Sequence, residues 1–199
     1  PFAITGEEWG DFLCQVFDEW TKKDVYNVSI RFFDSILNVM LNGVYTSCHM
    51  AGNCCQYFVV EYNGDIYPCD FFVQTPLKLG NIHNTSWQDA IDSKLYKDFG
   101  SQKNQWNNIC ASCEHLMYCS GDCLKHRIYG GNPPHTLSWL CSGYKKFFDH
   151  SISKFKELAE QVRARQNIRA GLFCDEKFER NELCFCGSGK KHKKCHGTN

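Results

Sequence analysis

The spacing of apolar residues predicts a long amphipathic helix near each end of the chain. Thr5-Gly-Glu-Glu8 has the pattern of a capping box, which marks a helix start. Apolar residues then recur every three or four positions, as on one face of a helix: Trp9, Phe12, Leu13, Phe17 and Trp20. A second helix is predicted for residues 142–165, and its inward face would carry Phe147, Ile152, Phe155, Leu158 and Val162.

Three shorter patterns lie between these helices. Val28, Ile30 and Phe32 alternate and predict a short strand, followed by a helix over residues 35–41 that Asp34 would cap. Two β-rich runs, residues 56–62 and 65–69, flank Asn63-Gly64. This dipeptide is a strong hairpin signal, because the tightest hairpin turn requires positive φ at both of its central residues.

A further helix is predicted to begin after Ser86 and to run through Phe99. Its inward residues would be Trp87, Ala90, Ile91 and Leu95. Residues 104–134 lack long periodic runs and are rich in cysteine, so bound metal is expected to organise them. Residues 166–180 are polar and are interpreted as a linker before a tail rich in cysteine, glycine and lysine.

Composition narrows the class of protein. The chain has 199 residues, 22 basic and 22 acidic side chains, and 14 cysteines. Zero net charge does not favour a general nucleic-acid binder, and no apolar run approaches the roughly 18–20 residues that span a bilayer. The chain starts at Pro1, so we expect an upstream part. Without a signal-peptide pattern, the cysteines indicate a cytoplasmic metal protein more than a secreted disulfide scaffold.

Eight cysteines occur in one segment, enough for two sites of four ligands. They are Cys48, Cys54, Cys69, Cys110, Cys113, Cys119, Cys123 and Cys141. Structural zinc usually takes paired Cys-x2-Cys knuckles, whereas iron–sulfur clusters accept wider and irregular spacing. The spacing alone does not say which four cysteines share a site.

The pattern resembles the auxiliary-cluster (SPASM) domain of radical S-adenosylmethionine enzymes. Its elements are a first cysteine, a Gly-x4-Cys hairpin (Gly64 to Cys69), the run Cys-x2-Cys-x5-Cys-x3-Cys from Cys110 to Cys123, and a last cysteine. The resemblance implies two [4Fe–4S] clusters with crossed ligands. One would take Cys48, Cys54, Cys69 and Cys123, and the other Cys110, Cys113, Cys119 and Cys141.

Within that group the chain is most similar to anaerobic sulfatase-maturating enzymes. The similarity rests on Tyr67-Pro-Cys-Asp-Phe-Phe72, on Leu79-Gly-Asn-Ile82 and on the flanking segments 30–34 and 144–148. It implies oxidation of a Cys or Ser side chain of a sulfatase to Cα-formylglycine. The radical-cluster motif Cys-x3-Cys-x2-Cys is absent from the chain. S-adenosylmethionine and a third [4Fe–4S] cluster are therefore expected in a missing N-terminal part, and this chain alone should not cleave S-adenosylmethionine.

Asp70 is the candidate catalytic residue. It directly follows cluster ligand Cys69 and matches the carboxylate that serves as the base in the resembling family. The alternative is an ordinary exposed aspartate after a strand. Cys55 and Cys14 are outside the cluster pattern and are interpreted as small packed thiols.

The tail resembles the SEC-C zinc motif, Cys-x-Cys-x8-Cys-His. Cys184, Cys186, Cys195 and His196 would supply a tetrahedral sulfur and nitrogen set for zinc. Cys174 is outside this motif. The lysines at 190, 191, 193 and 194 form a basic run around His192. Such a run is either a solvated surface or a docking site for an acidic protein or RNA.

The sequence therefore predicts an α+β fold, with a short β-hairpin and helices organised around two iron–sulfur clusters. Residues 1–47 would end a truncated α/β barrel, residues 48–165 would be the SPASM domain with its C-terminal helix, residues 166–180 a linker and residues 181–199 a zinc module. A sulfatase polypeptide is the expected substrate, and no membrane contact is expected. Two alternatives stay open: a related maturase that crosslinks peptide side chains, and a non-catalytic metal-binding adaptor.

Overall fold

The computed structural model describes the backbone of residues 3–175, 181–182 and 190–194, and side chains in these ranges except for residues 167–175. The chain divides into two compact units, residues 1–157 and residues 158–199. The first unit is mixed, with helices and one small antiparallel sheet. This agrees with the predicted α+β class.

Three helices supply the aromatic core of the first unit: α1 (Gly6–Lys23), α2 (Arg31–Asn42) and the first part of α7 (Cys141–Asp175). The Thr5 hydroxyl accepts a hydrogen bond from the backbone of Glu8, whose carboxylate accepts one in return, so the predicted capping box is confirmed. Phe17 packs edge to face on Phe33, and Phe33 stacks on Phe147. Phe12, predicted to face inward, is 52% exposed.

Helices α1 and α7 approach each other closely through glycines. A Cβ atom on Gly143 would lie only 2.0 Å from the carbonyl oxygen of Gly6 and 2.8 Å from the amide nitrogen of Gly10. Only residues without a side chain permit this contact between backbones. These glycine contacts therefore fix the position of the start of α7 against α1. Cys141 is the first residue of α7.

The predicted strand at residues 28–32 is wrong. Residues 28–30 have no regular structure, and α2 begins at Arg31, four residues before the predicted start. Ile30 is the N-cap, and Asp34 lies inside the first turn, where it accepts a hydrogen bond from the Ser29 hydroxyl. A short alternating run cannot distinguish a strand from a helix start, and the burial of Phe33, Ile36 and Val39 follows helical spacing.

The predicted hairpin is confirmed, but its turn differs. Strands β1 (Val59–Val60) and β2 (Asp65–Tyr67) pair antiparallel, with Val60 opposite Ile66. Gly64 has φ of 84°, whereas Asn63 is not among the described residues with positive φ. The Gly64 amide donates to the Glu61 carbonyl at 2.8 Å. A tight turn at residues 61–64 thus ends in a left-handed glycine, a common longer hairpin loop.

A third strand, β3 (Gly80–Asn81), pairs antiparallel with β2 and completes the sheet order β1-β2-β3. The helix predicted from Ser86 to Phe99 is two helices, α3 (Trp87–Asp92) and α4 (Lys94–Ser101). Ser93 breaks the run with ψ of 139° and caps α4 through its side chain. Ala90 and Phe99 are buried, whereas Trp87 and Ile91 are about half exposed, contrary to the prediction.

Residues 104–140 contain only short elements: α5 (Asn108–Ala111), α6 (Leu116–Cys119) and several single turns of 3-10 helix. Helix α7 then continues to Asp175, so residues 166–175 are helical where a linker was predicted. In the second unit the His192 amide donates to the Glu182 carbonyl at 2.7 Å, and residues 192–194 form a 3-10 turn. Helices long and apolar enough for a membrane span are not found in the described ranges.

Candidate metal centres

One cavity of about 400 Å³, here called cavity A, is lined by four of the predicted ligands. They are Cys48, Cys54, Cys69 and Cys123. Cys48 begins a 3-10 turn after α2, Cys54 follows that turn, and Cys69 lies two residues after the end of β2. The Cys54 amide donates to the Gly100 carbonyl at 3.1 Å, which anchors this loop on α4. Ligands separated by up to 75 positions in sequence therefore share one cavity.

A second cavity of about 220 Å³, here called cavity B, is lined by the other four predicted ligands. They are Cys110, Cys113, Cys119 and Cys141. Helix α5 carries Cys110, α6 ends at Cys119, and α7 begins at Cys141. Tyr144 and Phe148 of α7 form an apolar wall of the same cavity. The cavity thus joins the cysteine-rich part to the helical core.

The chain crosses from cavity B to cavity A between Cys119 and Cys123. Ser120, Gly121 and Asp122 have φ of 47°, 69° and 63°. Three consecutive residues in the left-handed region are unusual, since each residue other than glycine costs roughly 1–2 kcal/mol there. This crossing segment, residues 120–122, aims neighbouring ligands of a Cys-x3-Cys motif into different cavities.

Burial makes several of these cysteine thiols weaker acids. It raises the pKa of Cys54 to about 11, and the pKa of Cys69 and of Cys119 to about 12. Nearby cysteines of the same cavity add to the shift: Cys123 raises the pKa of Cys54, and Cys110 raises the pKa of Cys141. Because metal ligands must be thiolates, filling these cavities would release protons.

The thiol-only donor sets fit [4Fe–4S] clusters better than single zinc ions. A tetrahedral zinc with Zn–S bonds of about 2.3 Å brings its sulfurs to about 3.8 Å from each other. Among the described residues, the group whose three ligand atoms lie within 4.8 Å of one another is Glu114, His115 and Asp149, which includes no cysteine. A four-iron cluster binds one thiolate at each iron and so accepts wider sulfur separations.

The sequence reasoning missed three buried charged residues near the candidate ligands. Lys103 is fully buried, Arg127 is 1% exposed and Asp122 is 1% exposed. The Asp122 carboxylate accepts hydrogen bonds from His126 Nδ1 at 2.8 Å and from the Ser138 hydroxyl at 2.6 Å. Burial raises the pKa of Asp122, but the hydrogen bonds and charge of His126, the Ser138 hydroxyl and the Cys123 backbone together outweigh it, so the pKa is lowered. No local sequence signal marks these residues, because their burial depends on long-range packing.

His49 is a second feature that sequence reasoning missed. Its ring lines cavity A beside Cys48, and its Nδ1 lies 2.8 Å from the Ser47 hydroxyl. Burial lowers its pKa to about 4, so the ring is neutral at physiological pH. Its Nε2 is buried and has no hydrogen-bond partner in the part of the chain that the structure describes. A polar atom of this kind beside four thiols is suited to a bound group that accepts or donates a hydrogen bond.

Asp70 lies at the rim of cavity A. It is exposed, and its carboxylate oxygen lies 3.4 Å from Cys69 Sγ as the acceptor of the thiol hydrogen. Phe71, 53% exposed, and Tyr57, 50% exposed, also border the cavity. The rim therefore presents a carboxylate and two aromatic rings to solvent beside a candidate cluster. This arrangement suits contact with a polypeptide.

The other cysteines whose side chains the structure describes, Cys14 and Cys55, line neither cavity. Cys55 packs against Gly100, where an added Cβ would lie 2.1 Å from its sulfur, and its thiol donates to the Tyr96 carbonyl. Cys14 is half-buried on α1. The side chain of Cys174 and the predicted zinc ligands lie outside the described residues: Cys184, Cys186, Cys195 and His196.

Comparison with protein families finds two matches. Residues 48–114 match SPASM, an iron–sulfur cluster-binding domain, and residues 180–198 match the SEC-C motif. Both families are those that the sequence resembles. The match ends at residue 114, so the family model covers Cys48 to Cys113 and does not extend to Cys119, Cys123 or Cys141.

Similar whole proteins are anaerobic sulfatase-maturating enzymes. The chain is 39% identical over 175 residues to the serine-type enzyme of Bacteroides thetaiotaomicron, covering 86% of this chain and 42% of that one. It is 30% identical over 165 residues to the cysteine-type enzyme of Clostridium perfringens, covering 81% and 44%. The solved structure of native anSMEcpe with bound AdoMet and Cp18Cys peptide aligns with a TM-score of 0.75 at 30% identity, covering 81% and 45%. The chain thus spans less than half the length of the relatives it matches.

Proposed function

From the premise that this chain contains a SPASM domain and resembles anaerobic sulfatase-maturating enzymes, we propose that it is the auxiliary-cluster and substrate-side portion of a radical S-adenosylmethionine maturase. The reaction would oxidise a Cys or Ser of a sulfatase to Cα-formylglycine. The observation that carries the proposal is the pair of cavities, each lined by four cysteines and by none of the other four. This division agrees with the crossed ligand sets that the resemblance implies.

Each cavity would hold one [4Fe–4S] cluster through four thiolates, which leaves no iron open for substrate. When bound, such clusters supply one-electron transfer. The protein holds the thiols in place through the Cys54 amide contact with α4, the left-handed crossing segment and the start of α7 at Cys141. The buried side chains of Lys103, Arg127 and Asp122 add charged groups near the two anionic clusters.

Asp70 would act as the base in the oxidation. Oxidation of the target side chain removes a hydrogen atom from Cβ, a proton from the thiol or hydroxyl, and one further electron. Serine then gives the aldehyde directly, whereas cysteine gives a thioaldehyde that water hydrolyses to the aldehyde with release of hydrogen sulfide. The Asp70 carboxylate is exposed at the rim of cavity A, where a substrate side chain can reach it, and it directly adjoins the ligand Cys69. It would take the thiol or hydroxyl proton. The adjacent aromatic rings of Tyr57 and Phe71 would hold the peptide over it.

S-adenosylmethionine cleavage belongs to another part of the maturase, since the Cys-x3-Cys-x2-Cys motif is not in this sequence. The solved structure of native anSMEcpe contains bound AdoMet and a peptide, which supports binding of both by the complete maturase. The SEC-C tail would bind one zinc through Cys184, Cys186, Cys195 and His196 and would serve as a docking element. The support for this part of the proposal is the family match to residues 180–198.

Iron stoichiometry tests the cluster assignment. The full chain, reconstituted anaerobically with iron and sulfide, should bind about eight irons as two [4Fe–4S] clusters. Iron and sulfide analysis with Mössbauer spectroscopy measures this. Fully loaded protein that contains only zinc would refute the assignment.

Paired variants test which cysteines share a cluster. Cys110→Ser with Cys141→Ser removes two ligands of cavity B, so about four irons should remain. Cys119→Ser with Cys123→Ser also removes two thiols, but one from each cavity, so neither cluster should remain complete. Four irons retained by the second pair would contradict the crossed sets. Cys14→Ser with Cys55→Ser is the matched control and should keep about eight irons.

A further inference from the structure

Lys103 lines cavity A and contacts the crossing segment, whose Gly121 lines cavity B. Its ammonium nitrogen donates to the carbonyls of His49 and Ser120, both at 2.9 Å, and to the carbonyl of Asp122. His49 belongs to the wall of cavity A, while Ser120 and Asp122 belong to the crossing segment. One side chain therefore links the wall of cavity A to the crossing segment by hydrogen bonds.

These contacts indicate that Lys103 is charged. An ammonium group has three N–H donors and no acceptor, whereas a neutral amine has only two donors. Three carbonyl oxygens accept from Lys103, which requires the third hydrogen. Burial and the neighbouring charge of Arg127 oppose the cation and lower its pKa, and the three carbonyl dipoles offset that cost.

Arg127 adds a second buried cation at the same place. Its guanidinium donates to the Lys103 carbonyl at 2.9 Å and to the Gln105 carbonyl at 3.3 Å. Arginine stays charged even when buried. Asp122 supplies one buried carboxylate, so Lys103, Arg127 and Asp122 together leave a net charge of about +1 near the candidate ligands.

The field of these cations reaches thiols of both cavities. Lys103 favours the thiolate forms of Cys54 and Cys123 in cavity A and of Cys110 and Cys119 in cavity B. Arg127 favours the thiolate forms of Cys54 and Cys110, one in each cavity. The cations are thus shared electrostatically, and little solvent separates them from either site.

We propose that Lys103, supported by Arg127, is a positioning residue that raises the reduction potential of both clusters together. The inference rests on the proposed cluster function. A [4Fe–4S] cluster with four thiolates is an anion, and reduction adds one more negative charge. A fixed buried cation therefore stabilises the reduced state more than the oxidised state. Because the cation is shared, it keeps both clusters able to accept an electron.

The test is a potentiometric titration, followed by EPR, of the full chain reconstituted with iron and sulfide. Lys103→Gln keeps two N–H donors and removes the charge. The reduced-to-oxidised ratio of each cluster at a fixed potential should fall on the order of tenfold, which is about 59 mV for a one-electron couple. Lys22→Gln, which removes an exposed lysine of α1, is the control and should leave both potentials unchanged.

Each result decides the inference. Full iron content in Lys103→Gln with unchanged potentials, or with a shift at only one cluster, would overturn it. If Lys103→Gln loses iron, Arg127→Gln is measured in the same way, and a fall of both potentials supports the shared cation. Iron loss from both variants would overturn the tuning role, because the cations would then be needed for assembly. Failure of the wild-type chain to bind two clusters would instead refute the proposed function.

Discussion

The helical region and the cysteine-rich segment of the first unit are stabilised by different physical means. The helical region comprises α1, α2 and residues 141–157 and buries a continuous set of aromatic rings, including Phe17, Phe33 and Phe147. The cysteine-rich segment, residues 43–140, contains no helix longer than the eight residues of α4. A small cluster of Phe72, Phe99 and Leu124 is one part of its apolar packing.

This difference indicates which region depends on bound metal for its stability. Burial of large rings stabilises the helical region without help from a ligand. The cysteine-rich segment buries Lys103, Arg127 and Asp122 instead, and isolated buried charges are costly unless they are paired. Two clusters would crosslink this segment through seven of its cysteines and would tie it to the start of α7 through Cys141. We therefore expect bound metal to stabilise the cysteine-rich segment and to contribute little to the stability of the helical region. Four experiments test that contrast.

The largest expected effect is that of removing iron. Chelation under anaerobic conditions should abolish most hydrogen-exchange protection in the cysteine-rich segment and leave protection in α1 and α2. By comparison with structural metal sites, the stabilisation lost is on the order of 10 kcal/mol. Hydrogen-exchange mass spectrometry compares the two regions in one sample. Equal loss in both regions, or in neither, would contradict the contrast.

The next effect is catalytic and leaves both regions folded. In the full maturase, Asp70→Asn removes the base but keeps the size of an exposed side chain, so formylglycine formation should fall by roughly 10²–10⁴ in rate. S-adenosylmethionine cleavage and iron content should persist, because Asp70 is not a proposed ligand. Mass spectrometry of a sulfatase peptide and 5′-deoxyadenosine assays measure these.

Asp98→Asn is the matched control for Asp70→Asn, since Asp98 is an exposed aspartate of α4. It should retain normal product formation. Near-normal product from Asp70→Asn would remove Asp70 as the base. Loss of product together with loss of iron would show that Asp70 holds the hairpin beside Cys69 instead.

A smaller effect is expected in the helical region. Phe147 is fully buried and contacts the rings of Phe17, Phe33 and Phe155. Phe147→Ala should lower the free energy of unfolding by about 3–5 kcal/mol, while the folded protein keeps its iron. Denaturant unfolding measures the loss. Phe12→Ala, at a position 52% exposed on α1, should cost much less, and equal costs would show that the ring cluster is not the main support.

The smallest effect on both regions is expected from the tail. Cys195→Ser should remove one bound zinc and change neither the iron content nor the stability of the helical region. A peptide of residues 181–199 should bind one zinc and gain order. Zinc analysis of the variant and zinc titration of the peptide measure this. A peptide that does not bind zinc tightly would refute the zinc assignment. Iron loss from Cys195→Ser would show that the tail contributes to cluster binding.

Local patterns in the sequence were sufficient for several elements. The capping box at Thr5 and the glycine of the hairpin involve neighbours within a few residues, so short-range geometry determines them. The long helix at the end of the first unit has a sustained 3.6-residue period, which is the most reliable sequence signal. The three-residue alternation before Phe33 was too short to be reliable, and packing against α1 and α7 placed Phe32 and Phe33 on a helix.

The sequence by itself indicated a SPASM-type iron–sulfur domain, because ligand type and spacing can be read directly from the order of residues. Only the tertiary structure decided which thiols line each cavity. A left-handed turn at residues 120–122 sends Cys119 and Cys123 in different directions. It also decided that Lys103 and Arg127 are buried. Burial of the Lys103 charge depends on carbonyl groups from distant segments, such as that of His49. A local sequence pattern cannot predict a contact of this kind.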